Sequence, residues 1–164
     1  MTNNDVLRKV RFIYDFDDTE VIAIFGSGGL VTNRQEISNW LKPDGDVDLV
    51  NLPDKKLAIF LNGFIELKRG KKDGPPILPE KELNNNIIMR KLKIALDLKT
   101  EDMIEVYKIA GVTVSEHEIT AFFRKPDQKQ YRKCLDQFLR NFLLGLQIKE
   151  RGIGDPKMDF AQFR

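Results

Sequence analysis

The residue types that perform most enzyme chemistry are scarce in this chain. Its 164 residues include one histidine, His117, and one cysteine, Cys134. A zinc site takes three or four protein ligands, so this pair predicts no metal site, and nothing else in the sequence indicates a cofactor. We interpret His117 as an exposed residue near the start of a helix, and Cys134 as a buried small apolar residue on the last helix.

Carboxylates are plentiful, but their positions have a simpler explanation than catalysis. Asp15, Asp17, Asp18 and Glu20 surround the predicted start of the second helix, where the helix dipole favours negative charge. No pair of them stands out as a general acid and base. An enzyme of unrecognised type is therefore the third of our hypotheses, and we assign no catalytic residue.

A dense basic segment gives the strongest functional signal. Residues 124–133, RKPDQKQYRK, carry five Lys and Arg around one tyrosine. Such a cluster can contact phosphates while the tyrosine ring stacks on a base. We expect a non-enzymatic binding or regulatory module whose partner is nucleic acid or an acidic protein. The predicted contact residues are Arg124, Lys125, Lys129, Tyr131, Arg132 and Lys133.

A second basic feature occurs twice in the chain. Arg8 and Arg11 project from the polar side of the first predicted helix, and Arg90 and Lys93 project from its copy. Solvation of a polar helix face is enough to explain such residues. Their presence in both copies nevertheless makes this face a further candidate binding site.

The opposite charge lies at the equivalent place in the first half of the chain. The segment that corresponds to the basic one contains Asp44, Asp46 and Asp48. The acidic segment of one molecule could then meet the basic segment of another, or that of its own other half. A structural, self-associating protein, and so a homo-oligomer, is the alternative hypothesis.

These segments belong to a sequence that is duplicated. DKKLAIFLNGFIELKRG at 54–70 returns as DQFLRNFLLGLQIKERG at 136–152, an offset of 82 residues, and the match runs without a gap over about seventy residues. Units of this length exceed the usual solenoid periods, so we predict a two-unit duplication. The predicted parts are a first helical repeat at 1–70, a Pro/Gly-containing linker at 71–82, a second helical repeat at 83–152 and a loose C-terminal tail at 153–164.

Each repeat shows the apolar spacing of four helices, which predicts an all-α fold. The first helix of each repeat is expected at about 5–15 and 87–97, with Asn4 and Asn86 as N-caps. Gly63 and Gly145 fall in the middle of the fourth helices, at the edge of the apolar stripe. Because glycine costs a helix interior about 1 kcal/mol relative to alanine, we predict that another helix crosses there with no room for a methyl group.

The two units are expected to pack pseudo-symmetrically into one helical body, because a four-helix unit of this size is marginally stable alone. Phe12 and Ile94 lie opposite the main apolar stripe of their helices and would give each helix a second apolar contact. In the tail, Phe160 and Phe163 are the residues that could dock.

Bulk composition fits a folded cytoplasmic protein. Hydrophobic residues make up 41% and charged residues 32%, and a single cysteine excludes an intramolecular disulfide. No apolar run approaches the roughly 20 residues of a membrane span. The net charge of +2 hides an asymmetry, because residues 1–70 carry nine Lys and Arg against eleven Asp and Glu, whereas residues 83–152 carry thirteen against nine. This excess in the second half weakly favours an acidic partner.

The chain resembles the YehS-like family, bacterial proteins of similar length built from a duplicated domain of unknown function. The resemblance covers most of the chain and rests on NNDVLRKVRF, WLKPDGD, FLNGFIELKRG, NNNIIMRKLKIALDLKTEDM and DQFLRNFLLGL. It implies an all-α cytoplasmic protein with no established activity and no catalytic residues to carry over. The family pattern has a cysteine ahead of the aspartate that opens the fourth helix of the first unit, whereas this chain has Leu52 and Pro53 before Asp54. This departure weakens the case for a functional thiol.

Overall fold

A computed structural model of the chain describes residues 1–154, and residues 155–164, with Phe160 and Phe163, lie outside the described part. The described residues form eight α-helices and no strand, four helices in each unit, so the predicted all-α, duplicated fold is confirmed. The boundaries assigned to repeats, linker and tail remain predictions. The helices are α1 Asn3–Ile13, α2 Asp18–Gly28, α3 Arg34–Leu41, α4 Asp54–Arg69, α5 Asn85–Ala95, α6 Thr100–Ile109, α7 Glu116–Phe122 and α8 Asp136–Arg151.

The first helix of each unit starts earlier than its sequence indicates. Thr2 and Asn84 are the N-caps of α1 and α5, and each side chain accepts a hydrogen bond from the backbone N–H three residues later, at 3.1 and 2.9 Å. The prediction that Asn4 and Asn86 cap these helices is therefore wrong. Both lie inside the first turn and are buried, because their side chains bond to main chain far away in the sequence.

The fourth helix of each unit is crossed closely by the second. A Cβ added to Gly63 would lie 1.9 Å from the carbonyl oxygen of Ile24 in α2, and one added to Gly145 would lie 2.1 Å from that of Val106 in α6. Both contacts are with backbone, which cannot rotate away. The predicted close crossing without room for a methyl group is confirmed in both units.

The two units pack against each other through their first and fourth helices. α1 lies against α8, and α4 lies against α5, so each unit offers its first and fourth helices to the other. At the rim, Arg69 of the first unit pairs with Asp97 of the second at 2.6 Å, and Arg151 of the second pairs with Asp15 of the first at 3.1 Å. These ion pairs are related by the 82-residue offset, so they follow the predicted pseudo-symmetry.

One hydrophobic core continues through both units. It includes the buried rings of Phe25, Phe60 and Phe64 in the first unit and those of Phe122 and Phe142 in the second. This continuity gives each unit more buried apolar surface than four short helices could supply alone.

The expected second apolar contact of the first helices is made only in part. Phe12 and Ile94 remain 39% and 44% exposed. Phe12 lies beneath the guanidinium group of Arg151, 4.7 Å from its ring centroid. An amphipathic arginine of the other unit thus covers the ring where an apolar partner was expected.

Residues 71–82 connect the units without a helix, as their prolines dictate. Most of this segment is exposed, but its end is held by polar contacts. Glu80 pairs with Lys91 of α5 at 2.9 Å, and the Leu83 N–H donates to Asp54 Oδ2 of α4 at 2.9 Å. The chain therefore meets both units before α5 begins.

Candidate functional site

The basic residues predicted from the second unit lie on one helix and one loop. We call the loop that joins α7 to α8, residues 123–135, the basic loop. Tyr131 lies in the same loop and is half-buried. We call the following seven cations the basic face: Arg90 and Lys93 on α5, and Arg124, Lys125, Lys129, Arg132 and Lys133 on the basic loop.

Asn86 fixes the main chain of the basic loop to α5. Its Nδ2 group donates to the carbonyl oxygens of Phe122 and Arg132 at 3.0 and 2.9 Å, and its Oδ1 accepts from the Cys134 N–H at 2.9 Å. The side chain is 2% exposed, so these bonds are shielded from water and costly to lose. Our sequence interpretation assigned Asn86 as an N-cap and missed that it holds the loop. The recurrence of Asn3 and Asn4 as Asn85 and Asn86 was the signal in the sequence.

A cation–π contact brings the helix residues of the basic face next to the loop. Lys93 Nζ lies 5.5 Å from the ring centroid of Phe123, which immediately precedes Arg124. The structure thus joins two features that the sequence presented separately, the basic side of the helix and the basic segment.

Most charges of the basic face have no counter-ion in the described chain. Within residues 1–154, Arg132 is the one member that forms an ion pair, at 3.7 Å to Glu118, and its guanidinium also lies 5.6 Å from the Phe138 ring centroid. Arg90, Lys125, Lys129 and Lys133 are exposed. Asp127 is the one carboxylate in the basic loop. The face therefore carries a large uncompensated positive charge.

The predicted site residues of the first unit have a different environment. Arg8 pairs with Asp5 at 2.6 Å and with Asp44 at 3.1 Å, and its Nη1 donates to the Lys42 carbonyl at 2.6 Å. Burial raises the pKa of Asp5, but hydrogen bonds from Thr2 and Arg8 outweigh this and hold it below its ordinary value. Arg11, in the last turn of α1, is half-buried. Both arginines belong to α1, so the structure does not place them in the basic loop.

We call the loop that joins α3 to α4, residues 42–53, the acidic loop; it does not pair with the basic loop of the same molecule in the described chain. Asp44 is engaged by Arg8 of its own unit, and Asp46 Oδ1 accepts from the Asp48 N–H at 2.8 Å. No ion pair among residues 1–154 joins the two loops. The self-association hypothesis therefore concerns pairing of the two loops between different molecules.

Cys134 lies in the basic loop two residues before α8, so its predicted position on the helix is wrong. Its predicted burial is confirmed, with 1% of the residue exposed. Burial, with a smaller effect of Asp136, raises the pKa of the Cys134 thiol to about 12. A thiol with this pKa stays protonated at neutral pH and is a poor nucleophile. His117 is exposed on α7, as predicted.

A cleft of about 690 Å³ lies between α1 and α8. Asp5 is the one carboxylate of its described lining, which contains no histidine, serine or cysteine. The polar and apolar residues that line it include Asp5, Arg8, Lys9, Phe12, Arg140 and Leu143.

Residues 1–154 also lack a cluster of metal ligands and a membrane-spanning helix. No group of three or more His, Cys, Asp or Glu side chains is placed to hold a metal ion in that range. No helix among the same residues has the length and apolar character needed to cross a membrane.

Comparison with known proteins agrees with the duplicated architecture. The chain matches the family described as "Protein of unknown function (DUF1456)" twice, over residues 3–70 and 85–152. It is 41% identical over 151 residues to the uncharacterized protein YehS of Escherichia coli (strain K12), and the alignment covers 92% of this chain and 97% of that protein. No solved structure matches it. The resemblance to the YehS-like family is thus confirmed, and the chain belongs to the DUF1456 family, with one copy of the domain in each unit.

Proposed function

We propose that this chain is a non-enzymatic, cytoplasmic binding module that contacts nucleic acid through the basic face of its second unit. One observation carries the proposal. The buried Asn86 side chain holds the basic loop to α5 by donating two hydrogen bonds and accepting a third. The exposed lysines of the loop nevertheless form no ion pair with any carboxylate among residues 1–154. A main chain that is anchored at both ends and carries uncompensated cations is suited to an external polyanion.

Phosphate contacts explain why such a face would bind. Each lysine or arginine that approaches a phosphate releases condensed counter-ions, which drives association and makes it depend on salt. Because the loop is already fixed, binding orders only the ends of the side chains and pays less conformational entropy than a mobile loop would.

Tyr131 favours a single strand over a duplex. It is the one aromatic residue of the basic segment 124–133, and part of its surface stays exposed. A base can stack on that surface only where it is unpaired, and such stacking is worth about 1–3 kcal/mol per base. The same face would also attract an acidic protein through its positive charge, so the exposed part of the Tyr131 ring is the feature that favours nucleic acid.

Self-association is the second candidate function. The loop equivalent to the basic loop carries Asp44, Asp46 and Asp48, and Val47 beside them is 96% exposed. In a two-fold dimer the acidic loop of each molecule would meet the basic loop of the other, so both contacts would form together. This contact would weaken at high salt.

The test is fluorescence polarisation with labelled single-stranded and duplex oligonucleotides at two salt concentrations. Our proposal expects salt-dependent binding, tighter to the single strand, that is lost when Lys125, Lys129 and Lys133 are changed to Ala. If no oligonucleotide binds, the proposal is wrong. Light scattering behind gel filtration at both salt concentrations then tests the dimer.

A further inference from the structure

The basic face has a structural equivalent in the first unit. In the first unit a turn closes with a hydrogen bond from the Asp46 N–H to the Pro43 carbonyl at 3.1 Å. The second unit has a turn at the equivalent place 82 residues later, closed from the Gln128 N–H to the Lys125 carbonyl at 2.9 Å. The two loops therefore share this hydrogen bond in register although their charges are opposite, and their turns differ in that Gly45 has a φ of +86° whereas Asp127 at the equivalent position has no positive φ.

Each loop is also fixed to its helix in the same way. Asn4 Nδ2 donates to the Val50 carbonyl at 2.9 Å and Asn4 Oδ1 accepts from the Leu52 N–H at 3.0 Å, which repeats the contacts of Asn86. Arg8 in α1 and Arg90 in α5 then occupy equivalent positions, one turn further along helices that hold equivalent loops.

The surroundings of these two arginines differ in their carboxylates, and Arg8 also donates to the Lys42 carbonyl, a bond that Arg90 lacks. Arg8 is held by the carboxylates of Asp5 and Asp44. At the equivalent positions the second unit has Ile87 and Pro126, which carry no charge. Arg90 is exposed and forms neither a hydrogen bond nor an ion pair with any residue from 1 to 154.

We infer that Arg90 is the phosphate anchor of the basic face, and that the first unit is a neutralised copy in which Asp5 and Asp44 occupy the places of phosphate oxygens. The inference rests on the proposed function and narrows it to one strand per chain, bound by the second unit alone. A guanidinium group forms the same charge-assisted hydrogen bonds with carboxylate and phosphate oxygens. The lowered pKa of Asp5 agrees with this pairing.

The neutralised arrangement can be transferred to the second unit. The double variant Ile87→Asp, Pro126→Asp places carboxylates at the positions equivalent to Asp5 and Asp44. Position 87 lies three residues after the N-cap Asn84, where an acidic residue suits the helix N-terminus, and position 126 takes the turn position of Asp44. We expect this variant to fold and to bind a labelled single-stranded oligonucleotide at least about tenfold more weakly than wild type.

Three controls test whether the effect depends on a counter-ion at Arg90 or on a general change of charge. The neutral variant Ile87→Asn, Pro126→Asn should bind within about twofold of wild type. In an Arg90→Ala background, which itself binds about tenfold more weakly, the two aspartates should lower affinity less than threefold further. Arg8→Ala, the equivalent change in the first unit, should leave affinity within about twofold of wild type.

The outcomes distinguish this inference from the function on which it rests. If wild type binds but the aspartate pair weakens binding no more than the asparagine pair, Arg90 is not the anchor and the inference is wrong, while the basic face stands. The inference is also overturned if the aspartates act equally with and without Arg90. If wild type binds no oligonucleotide, the proposed function itself fails.

Discussion

Asn86 Nδ2 donates to the Arg132 carbonyl oxygen at 2.9 Å, and this bond joins the helix and the loop that make up the basic face. The two residues lie 46 positions apart in the sequence. Because the asparagine is buried, it acts on the basic loop through the main chain and leaves the side chains of Lys125, Lys129 and Lys133 exposed. The positive charges are therefore held on a defined surface, which is the basis of the binding proposed here.

Replacing Asn86 should destabilise the protein strongly. In Asn86→Ala the Cys134 N–H and the carbonyls of Phe122 and Arg132 lose their partner inside the fold. Unpaired buried groups of this kind lower the free energy of unfolding by about 2–4 kcal/mol in total. Urea denaturation measures the change.

The matched control is Asn141→Ala on α8. The Asn141 side chain accepts one exposed hydrogen bond, from Gln137 at 3.0 Å, so its loss should cost less than about 0.5 kcal/mol. Equal effects of the two substitutions would show that the buried asparagine does not hold the loop.

Gly63→Ala should destabilise the protein although alanine is the better helix former. The added methyl group would meet the Ile24 carbonyl at 1.9 Å, so α2 and α4 must move apart. Overpacking of this kind costs about 1–3 kcal/mol, more than the roughly 1 kcal/mol of helix propensity that alanine contributes. Thermal unfolding followed by circular dichroism measures the difference.

Gly26→Ala in α2 provides the comparison, because a Cβ there meets nothing within 4 Å. This substitution should leave the melting temperature unchanged or raise it by a few degrees. A higher melting temperature for Gly63→Ala would contradict the close crossing.

The buried thiol of Cys134 should make stability depend on alkaline pH. Its pKa is about 12 in the fold against 9.0 for an exposed cysteine. Below pH 9 both states keep the proton, whereas between pH 9 and 12 only the unfolded chain loses it. Stability therefore falls as pH rises through this window, by up to about 1.4 kcal/mol per pH unit.

Urea denaturation of wild type and Cys134→Ala, under reducing conditions at pH 8 and pH 10.5, isolates this effect. Between pH 8 and pH 10.5, the free energy of unfolding of wild type should fall by about 2 kcal/mol more than that of Cys134→Ala. A difference that stays constant over this range would mean that the thiol is not shielded from water.

The helices and their closest crossings were accessible from the sequence because their signals are local. The apolar spacing predicted the eight helices. Gly63, at the edge of an apolar stripe, predicted the close crossing because glycine is unfavourable inside a helix unless a larger side chain does not fit. The duplication supported each of these inferences twice, since Gly145 repeats Gly63 in register.

The role of Asn86 was not accessible in the same way. An asparagine near a helix start has a sufficient local explanation as an N-cap, whereas its actual partners lie 36 to 48 residues further along the chain. The environment of Arg8 likewise depends on a carboxylate 36 residues away in a folded turn. Side-chain partners at such separations are set by packing, which sequence spacing does not encode.

The most direct test of the account is the affinity of a single-stranded oligonucleotide for wild type, measured by fluorescence polarisation across a range of salt concentrations. Two variants are compared: Lys125, Lys129 and Lys133 to Ala, and the charge-matched Lys99, Lys108 and Lys149 to Ala, which are also exposed lysines of the second unit. We predict salt-dependent binding that the first variant loses, by about tenfold or more, and the second keeps within about threefold. Equal losses in the two variants, or no binding by wild type at low salt, would contradict the basic face as a nucleic-acid interface.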